Sequence, residues 1–516
     1  MAAAEESAPR DEEAPAWWQR RVFLFLLPLL AALPLLLPAA PPLTDLPGHM
    51  GRYKIALDLA GSPTLQQFYD FRWALVPNLG ADLLVVPLAA LFGLEAATKI
   101  VALLIPALTT LGFLWVSKEA HGRVTPGVLL AVPLIYGFPF LYGFLNFTLS
   151  VALAFLALGL WMRLGRLERF GLRAAIFVPL SLVVWVAHAF GWGMLGLLAF
   201  GVALARELER GRRFPEAFFR AGLQVLPLAA PLVPMLIWSG QTPVLASDWF
   251  NLPWKMLAFL WLLRDRWMVF DIATLGVLAL AIAVAVRDRR LRFAPSLLIP
   301  ALLLFAAFLL LPRFLLGAAH NDNRMLPFAV ATLLLAIRPL PDASRRFANA
   351  FALAAMAFFL IRTAGVGASA WLYGQAFEAE AAAIERLPHG ARLLSFVNTG
   401  CGEWARRRLD HLPSLATVRR EAFANDQWTI AGSHLLTVKA PYRAYADPSQ
   451  MVGEPGCLNQ QLNPALAAID PARFDHVWLI QPPRYDPALV RGWTPVWRLG
   501  SSVLFRLPAE AGGRTR

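Results

Sequence analysis

Short arginine clusters alternate with long apolar runs along most of this chain, and the clusters fall on every second gap. Lys118 and Arg123 follow one run, and Arg163, Arg166, Arg169 and Arg173 separate two others. Arg206, Arg210, Arg212, Arg213 and Arg220 form the next cluster, then Arg287, Arg289, Arg290 and Arg292, then Arg338, Arg345 and Arg346. The opposite gaps, residues 142–148 and the turn at Gly191, carry no Lys or Arg. Basic residues close to membrane spans stay on the cytoplasmic side. One assignment satisfies every gap: a polytopic helical membrane protein with a cytoplasmic N-terminus, an odd number of spans and an extracytoplasmic C-terminus.

Composition agrees. Apolar residues make up 58% of the chain and charged ones 16%, against roughly 45–50% and about 25% in soluble domains. The net charge of +13 would suit a nucleic acid, but its distribution as clusters flanking apolar runs excludes that partner and selects the bilayer. Windows of about 20 residues place spans at 22–40, 94–116, 127–141, 149–162, 174–190, 192–205, 221–238, 267–286, 294–311, 325–337 and 348–361. That is about eleven transmembrane helices. The 22–40 run ends in Pro38-Ala39-Ala40-Pro41-Pro42, which lacks a small-x-small cleavage site and predicts an uncleaved anchor. The apolar stretch 79–93 must not cross, or every later cluster would invert. It reads as a helix lying along the outer surface with Asp82 facing the polar side.

The organisation is then a cytoplasmic tail (1–21), a transmembrane domain (22–362) with a first external loop at 41–94, and a polar extracytoplasmic domain (363–516). Two further outer loops are large: 239–266, with Asp248, Trp249, Asn251, Trp254 and Lys255, and 312–324, ending His320-Asn321-Asp322-Asn323-Arg324. Within the C-terminal domain, alternating apolar stretches predict strands at 392–397, 476–481 and 502–507, with helices at 375–387 and 463–469, a small α/β unit. The two cysteines, Cys401 and Cys457, both lie there. A disulfide between them would close a loop of ~56 residues and contribute up to about 4 kcal/mol; two free buried thiols are the alternative. No Cys/His metal spacing, phosphate-binding glycine loop or nucleotide fingerprint is present.

Chemistry concentrates in the first loop, Thr44-Asp45-Leu46-Pro47-Gly48-His49-Met50-Gly51-Arg52-Tyr53-Lys54. Asp45 stands within a few residues of the end of span 22–40, where a lipid headgroup and a water-soluble partner meet. A carboxylate there can take a proton from an attacking hydroxyl, and Arg52 and Lys54 offer charge to a phosphate. Asp followed two residues later by Pro is equally a helix N-cap signature. His49 shares a helix face with Asp45, to orient the carboxylate or bind an acceptor.

A first span, an acidic residue opening a long external loop, many further spans and an external C-terminal domain together resemble the GT-C superfamily. These are integral membrane glycosyltransferases that use polyprenyl-phosphate sugars. The resemblance covers most of the chain at the level of layout. It implies that Asp45 is the catalytic base and that the donor is a polyprenyl-phosphate-linked sugar. The acceptor would be a glycan, lipid or protein on the outer side of the inner (plasma) membrane, reached by inverting single displacement. Many members carry two adjacent acids at this position. Here Thr44-Asp45 supplies one, which leaves a divalent metal open and unsupported.

Other candidates for substrate contact are Asp70 and Arg72 in Tyr69-Asp70-Phe71-Arg72-Trp73, and Asp322 and Arg324 at the start of span 325–337. Loop ion pairs and snorkelling explain the same residues without a ligand. His188 reads as a neutral interhelical histidine. The aromatics Tyr136, Phe138, Phe140, Tyr142, Phe144 and Phe147, with Asn146, read as an interfacial belt. Two other functions stay open: a glycolipid transporter or flippase, which needs charged groups inside the spans, and a non-catalytic cell-envelope assembly protein.

Overall fold

The protein is described here from a computed structural model that covers residues 16–239, 246–315, 318–340, 343–400, 402–430, 434–457 and 460–508. Among these, six helices are long and apolar enough to cross a membrane: Leu94–His121, Leu145–Arg166, Phe170–Ala187, Ala189–Glu209, Met268–Arg287 and Arg345–Arg386. Shorter apolar helices, Arg21–Leu35, Gly127–Tyr142, Pro295–Leu310 and Leu326–Leu335, fall on four more expected spans. The expected span 221–238 is broken into Phe214–Val225, a 3-10 turn Leu226–Ala229 and Leu232–Ser239. Proline, which lacks an N–H to donate, explains both this break (Pro227 and Pro231) and the segmentation of Gly127–Tyr142 (Pro133 and Pro139). Val269, Leu91 and Val22 are 79%, 75% and 70% exposed. Apolar surface on that scale, on helices that satisfy their own backbone, belongs against lipid.

Two expectations are corrected. The last membrane helix does not stop near 361. With no proline to end it, it runs as one 37-residue helix, Arg345–Ala381, and absorbs most of the separate helix expected at 375–387. Asp82 does not face the polar side. The Gly80–Phe92 helix has 13 residues, too short at ~1.5 Å per residue for a core of ~30 Å. Asp82, however, is 3% exposed and takes a salt bridge from Arg52 at 2.8 Å and a hydrogen bond from Asn146 Nδ2 at 3.0 Å. Burying a carboxylate demands such partners.

The C-terminal unit is built on a mixed five-stranded sheet ordered Thr494–Leu499, Ser502–Arg506, His476–Ile480, Leu393–Asn398, Met451–Val452. Its two central strands, Leu393–Asn398 and His476–Ile480, pair in parallel and are buried throughout, as strands covered on both faces must be. A buried polar lock ties the unit to the membrane helices. Arg362, 1% exposed, donates to Asp271 at 2.5 Å, and Asp271 also accepts from Trp404 Nε1 at 2.7 Å. Arg408 pairs with Asp265 and donates to the Pro42 carbonyl at 3.0 Å. Residues 402–411 are thereby pinned beside the chain that leads into Asp45.

Candidate active site

Asp45 sits immediately before the Leu46–Asp58 helix, with Pro47 in the first turn, yet its side chain makes no capping hydrogen bond. The carboxylate is therefore free of the N-cap role that its sequence context allows. Its backbone is fixed instead: Asp45 N–H donates to the Tyr142 carbonyl at 2.8 Å. Gly143 follows at φ 101°, and a Cβ there would stand 2.8 Å from Asp45 N. Only glycine tolerates both the positive φ and this approach.

The carboxylate lines a cavity of about 280 Å³. The cavity is walled by the loop helix, the near ends of the Leu145–Arg166, Phe170–Ala187 and Ala189–Glu209 helices, the segment before Leu326–Leu335, and the C-terminal unit. Five of the chain's eight histidines line it: His49, His188, His320, His411 and His434.

His411 is supplied by the C-terminal unit, just ahead of the Ser414–Arg420 helix. Its Nδ1 lies 2.9 Å from the Asp426 carbonyl, so that nitrogen carries a proton and Nε2 is turned to the cavity. Nε2 is 3.8 Å from Asp45 Oδ1 and 3.7 Å from Asp447 Oδ1, ion-pair distances beyond direct hydrogen bonding. Asp447 Oδ1 also accepts from Gln450 Nε2 at 2.9 Å. Burial opposes charge on His411, but Asp447, Asp45, Asp426 and Asp410 together hold its pKa above the ordinary imidazole value. Burial lifts the Asp45 carboxyl to about 7; His411 draws it down, Asp447 and Asp410 push it up, and Arg324 draws it down. A buried carboxylic acid poised near neutrality is suited to proton transfer.

The opposite wall presents donors. Arg324 is 6% exposed, lies 4.2 Å over the Phe144 ring and donates to the Ala319 carbonyl at 3.2 Å. It makes no ion pair with a carboxylate among the described residues. His188 separates two membrane helices. Its Nδ1 accepts from Phe190 N–H at 3.1 Å, which leaves the proton of the neutral ring on Nε2. That Nε2 stands 3.4 Å from Arg324 Nη1. Two donors facing each other do not satisfy one another; an anionic oxygen between them would satisfy both.

The loop helix and the C-terminal unit approach through glycine. A Cβ on Gly48 would stand 2.6 Å from the Trp428 ring and 3.1 Å from His411 Nδ1, and one on Gly51 would stand 2.5 Å from Gln427 Nε2. Gln427 donates to the Gly48 carbonyl at 3.2 Å. Trp428 packs on His411 with ring centroids 4.3 Å apart and on His49 at 5.0 Å. His49 lines the cavity and is held well below the ordinary pKa by burial, then by Arg52 and His434, so it is a neutral ring there.

Asp45, His49 and Arg324 thus meet in one cavity, while the other expected contacts lie elsewhere. Arg52 is engaged by Asp82. Asp70, on a short strand, pairs with Lys439 at 3.1 Å and is largely exposed; Arg72 is exposed beyond it. Asp322, 1% exposed, accepts from Lys255 Nζ at 3.1 Å. Lys255 also donates to the Phe308 and Leu311 carbonyls at 2.7 and 3.1 Å, so this pair clamps scaffold. Cys457 is disulfide-bonded; Cys401 lies outside the described residues. Among those residues no three His, Cys, Asp or Glu side chains form a metal-holding group. The aromatics expected as an interfacial belt are largely interior: Tyr136, Phe140 and Phe147 are 3%, 0% and 1% exposed.

Sequence reasoning missed His411, Asp447 and Trp428. The usable signal was the scarcity of histidine in a chain where the apolar pattern has no need of it.

No protein-family model and no curated protein matches this chain. Among solved structures, it is similar to the crystal structure of ArnT from Cupriavidus metallidurans bound to undecaprenyl phosphate. The TM-score is 0.47 and the identity 13%, with 97% of this chain and 100% of that chain covered.

Proposed function

We propose that this chain is a membrane glycosyltransferase that moves a sugar from a polyprenyl-phosphate carrier to an acceptor hydroxyl outside the cytoplasmic face, with Asp45 as general base. One observation carries the reading. A buried carboxyl with a pKa of about 7 shares a cavity with an arginine–histidine donor pair that makes no ion pair with an acid among the described residues. A base for an incoming hydroxyl and a cradle for a departing phosphate are the two things such a transfer requires.

In this mechanism the carrier phosphate lies against Arg324 and the Nε2–H of His188. Asp45 removes the proton from the acceptor O–H. The oxygen attacks the anomeric carbon, the bond from that carbon to the phosphate oxygen breaks, and the electron pair leaves on the lipid phosphate. Arg324 stabilises that charge more as it develops, which lowers the barrier. Attack opposite the leaving group inverts the anomeric configuration. His411 stays near the Asp45 carboxylate and favours its charged form, while Asp447 favours the charged form of His411. The GT-C-like layout supports the same assignment of Asp45. The domain order, the outer location of the C-terminal unit and a Cys401–Cys457 disulfide belong to this reading.

The test is direct. Purified protein in lipid, given radiolabelled prenyl-phosphate sugars and a pool of glycan and lipid acceptors, transfers label, and Asp45→Asn abolishes the transfer. Full transfer by Asp45→Asn would remove the base from the scheme.

A further inference from the structure

The Leu145–Arg166, Phe170–Ala187 and Ala189–Glu209 helices each have one end at the Asp45 cavity. Their other ends, ~30 Å away at 1.5 Å per residue, surround a second cavity of about 420 Å³. Its walls carry Arg166, Arg173, Arg206 and Arg338 against Glu119 and Glu209. Arg166 is matched by Glu119 at 3.0 Å. Arg206 pairs with the exposed Glu168 at 3.7 Å, feels the more distant Glu207 carboxylate and donates Nη1 to the Gly165 carbonyl at 2.5 Å.

Arg173 has a different environment. It is 5% exposed, lies 3.9 Å over the Trp161 ring and donates Nη2 to Gln224 at 3.1 Å. It takes part in no ion pair among the described residues. The charge that acts on it is Arg206, of like sign. The two guanidinium groups converge over Gly165, where a Cβ would stand 3.1 Å from Arg173 Nη1 and 3.2 Å from Arg206 Nη1. Like charges drawn together in a partly desolvated pocket repel, and an anion between them reverses the sign. Two planar forks match the oxygens of one phosphate. Trp161 holds one fork in place, and basic pockets between membrane helices are places where lipid headgroups dock.

We propose that Arg173 and Arg206 bind a phosphate group at the membrane face opposite the Asp45 cavity, presented by an anionic phospholipid or as free inorganic phosphate. The site is independent of the transferase reading, so its test needs no activity. Thermal unfolding of the full chain is followed in nanodiscs of phosphatidylcholine alone, with added phosphatidic acid, or with inorganic phosphate in the buffer. Phosphatidic acid raises the midpoint of the native chain. Arg173→Gln and Arg206→Gln each lose more than half of that rise, while Arg287→Gln, an exposed arginine outside the cavity, keeps it. A rise with inorganic phosphate in phosphatidylcholine, abolished by the same two variants, also supports the site and assigns it to the free anion. No rise with either phosphate source, or an equal loss in Arg287→Gln, overturns the proposal. If Arg173→Gln does not fold, the half-buried Arg206→Gln decides.

Discussion

Replacing His411 by Gln should shift the pH dependence of transfer toward alkaline values. In the proposed mechanism Asp45 acts as a base only when ionised, so transfer is expected to fall as pH drops through its pKa of about 7. His411 Nε2 lies 3.8 Å from the carboxylate and lowers that pKa. Unit charges ~4 Å apart interact by roughly 4 kcal/mol at an effective dielectric of 20, which is about three pH units. His411 is also drawn by Asp447 at 3.7 Å, so its hold on Asp45 is divided, and a rise of roughly one to three units is expected. The assay is kcat/KM for sugar transfer against pH, which reports the free enzyme. An unmoved acid limb in His411→Gln would refute the argument, because general damage lowers the plateau without moving the limb.

Four further outcomes are expected. The Asp45 pKa of about 7 lies above the usual 3.8, so its contribution to stability is full at low pH and is lost as pH rises through 7. The midpoint of Asp45→Asn relative to the native chain should therefore rise between about pH 4 and pH 7 and level off above, as read by thermal unfolding. Arg324→Gln should reduce kcat/KM by roughly a hundredfold or more with little loss of stability, whereas Asp322→Asn leaves Lys255 buried without its partner and should cost about 3–5 kcal/mol in unfolding. Gly48→Ala forces a Cβ to within 2.6 Å of the Trp428 ring and should destabilise the loop helix against the C-terminal unit by about 1–3 kcal/mol, measurable as faster proteolysis between them. Asp70→Asn and Arg72→Gln, exposed and outside the cavity, should leave transfer unchanged and stability within about 0.5 kcal/mol.

Membrane class, span positions and the central strands were legible in the chain because each rests on a local pattern. Apolar run length selects a lipid environment, as Leu94–His121 and Met268–Arg287 illustrate, and alternate apolar residues mark strands such as His476–Ile480. That Asp45 lines a cavity was open to a related argument, since an acid just beyond an apolar run stands where that run ends. Arg324 was open to the same argument, being at the start of Leu326–Leu335.

What only the tertiary structure decided is which polar groups face one another. Nothing near Asp82 indicates that Arg52 will neutralise it, and nothing near Asp322 indicates Lys255. His411 and Asp447 reach Asp45 because Gly48 and Gly51 let a distant domain pack against the loop helix, and that contact leaves no periodicity behind. Hydropathy is a property of single residues and survives in the linear order. Charge pairing and desolvation are properties of neighbours in space, which folding alone supplies.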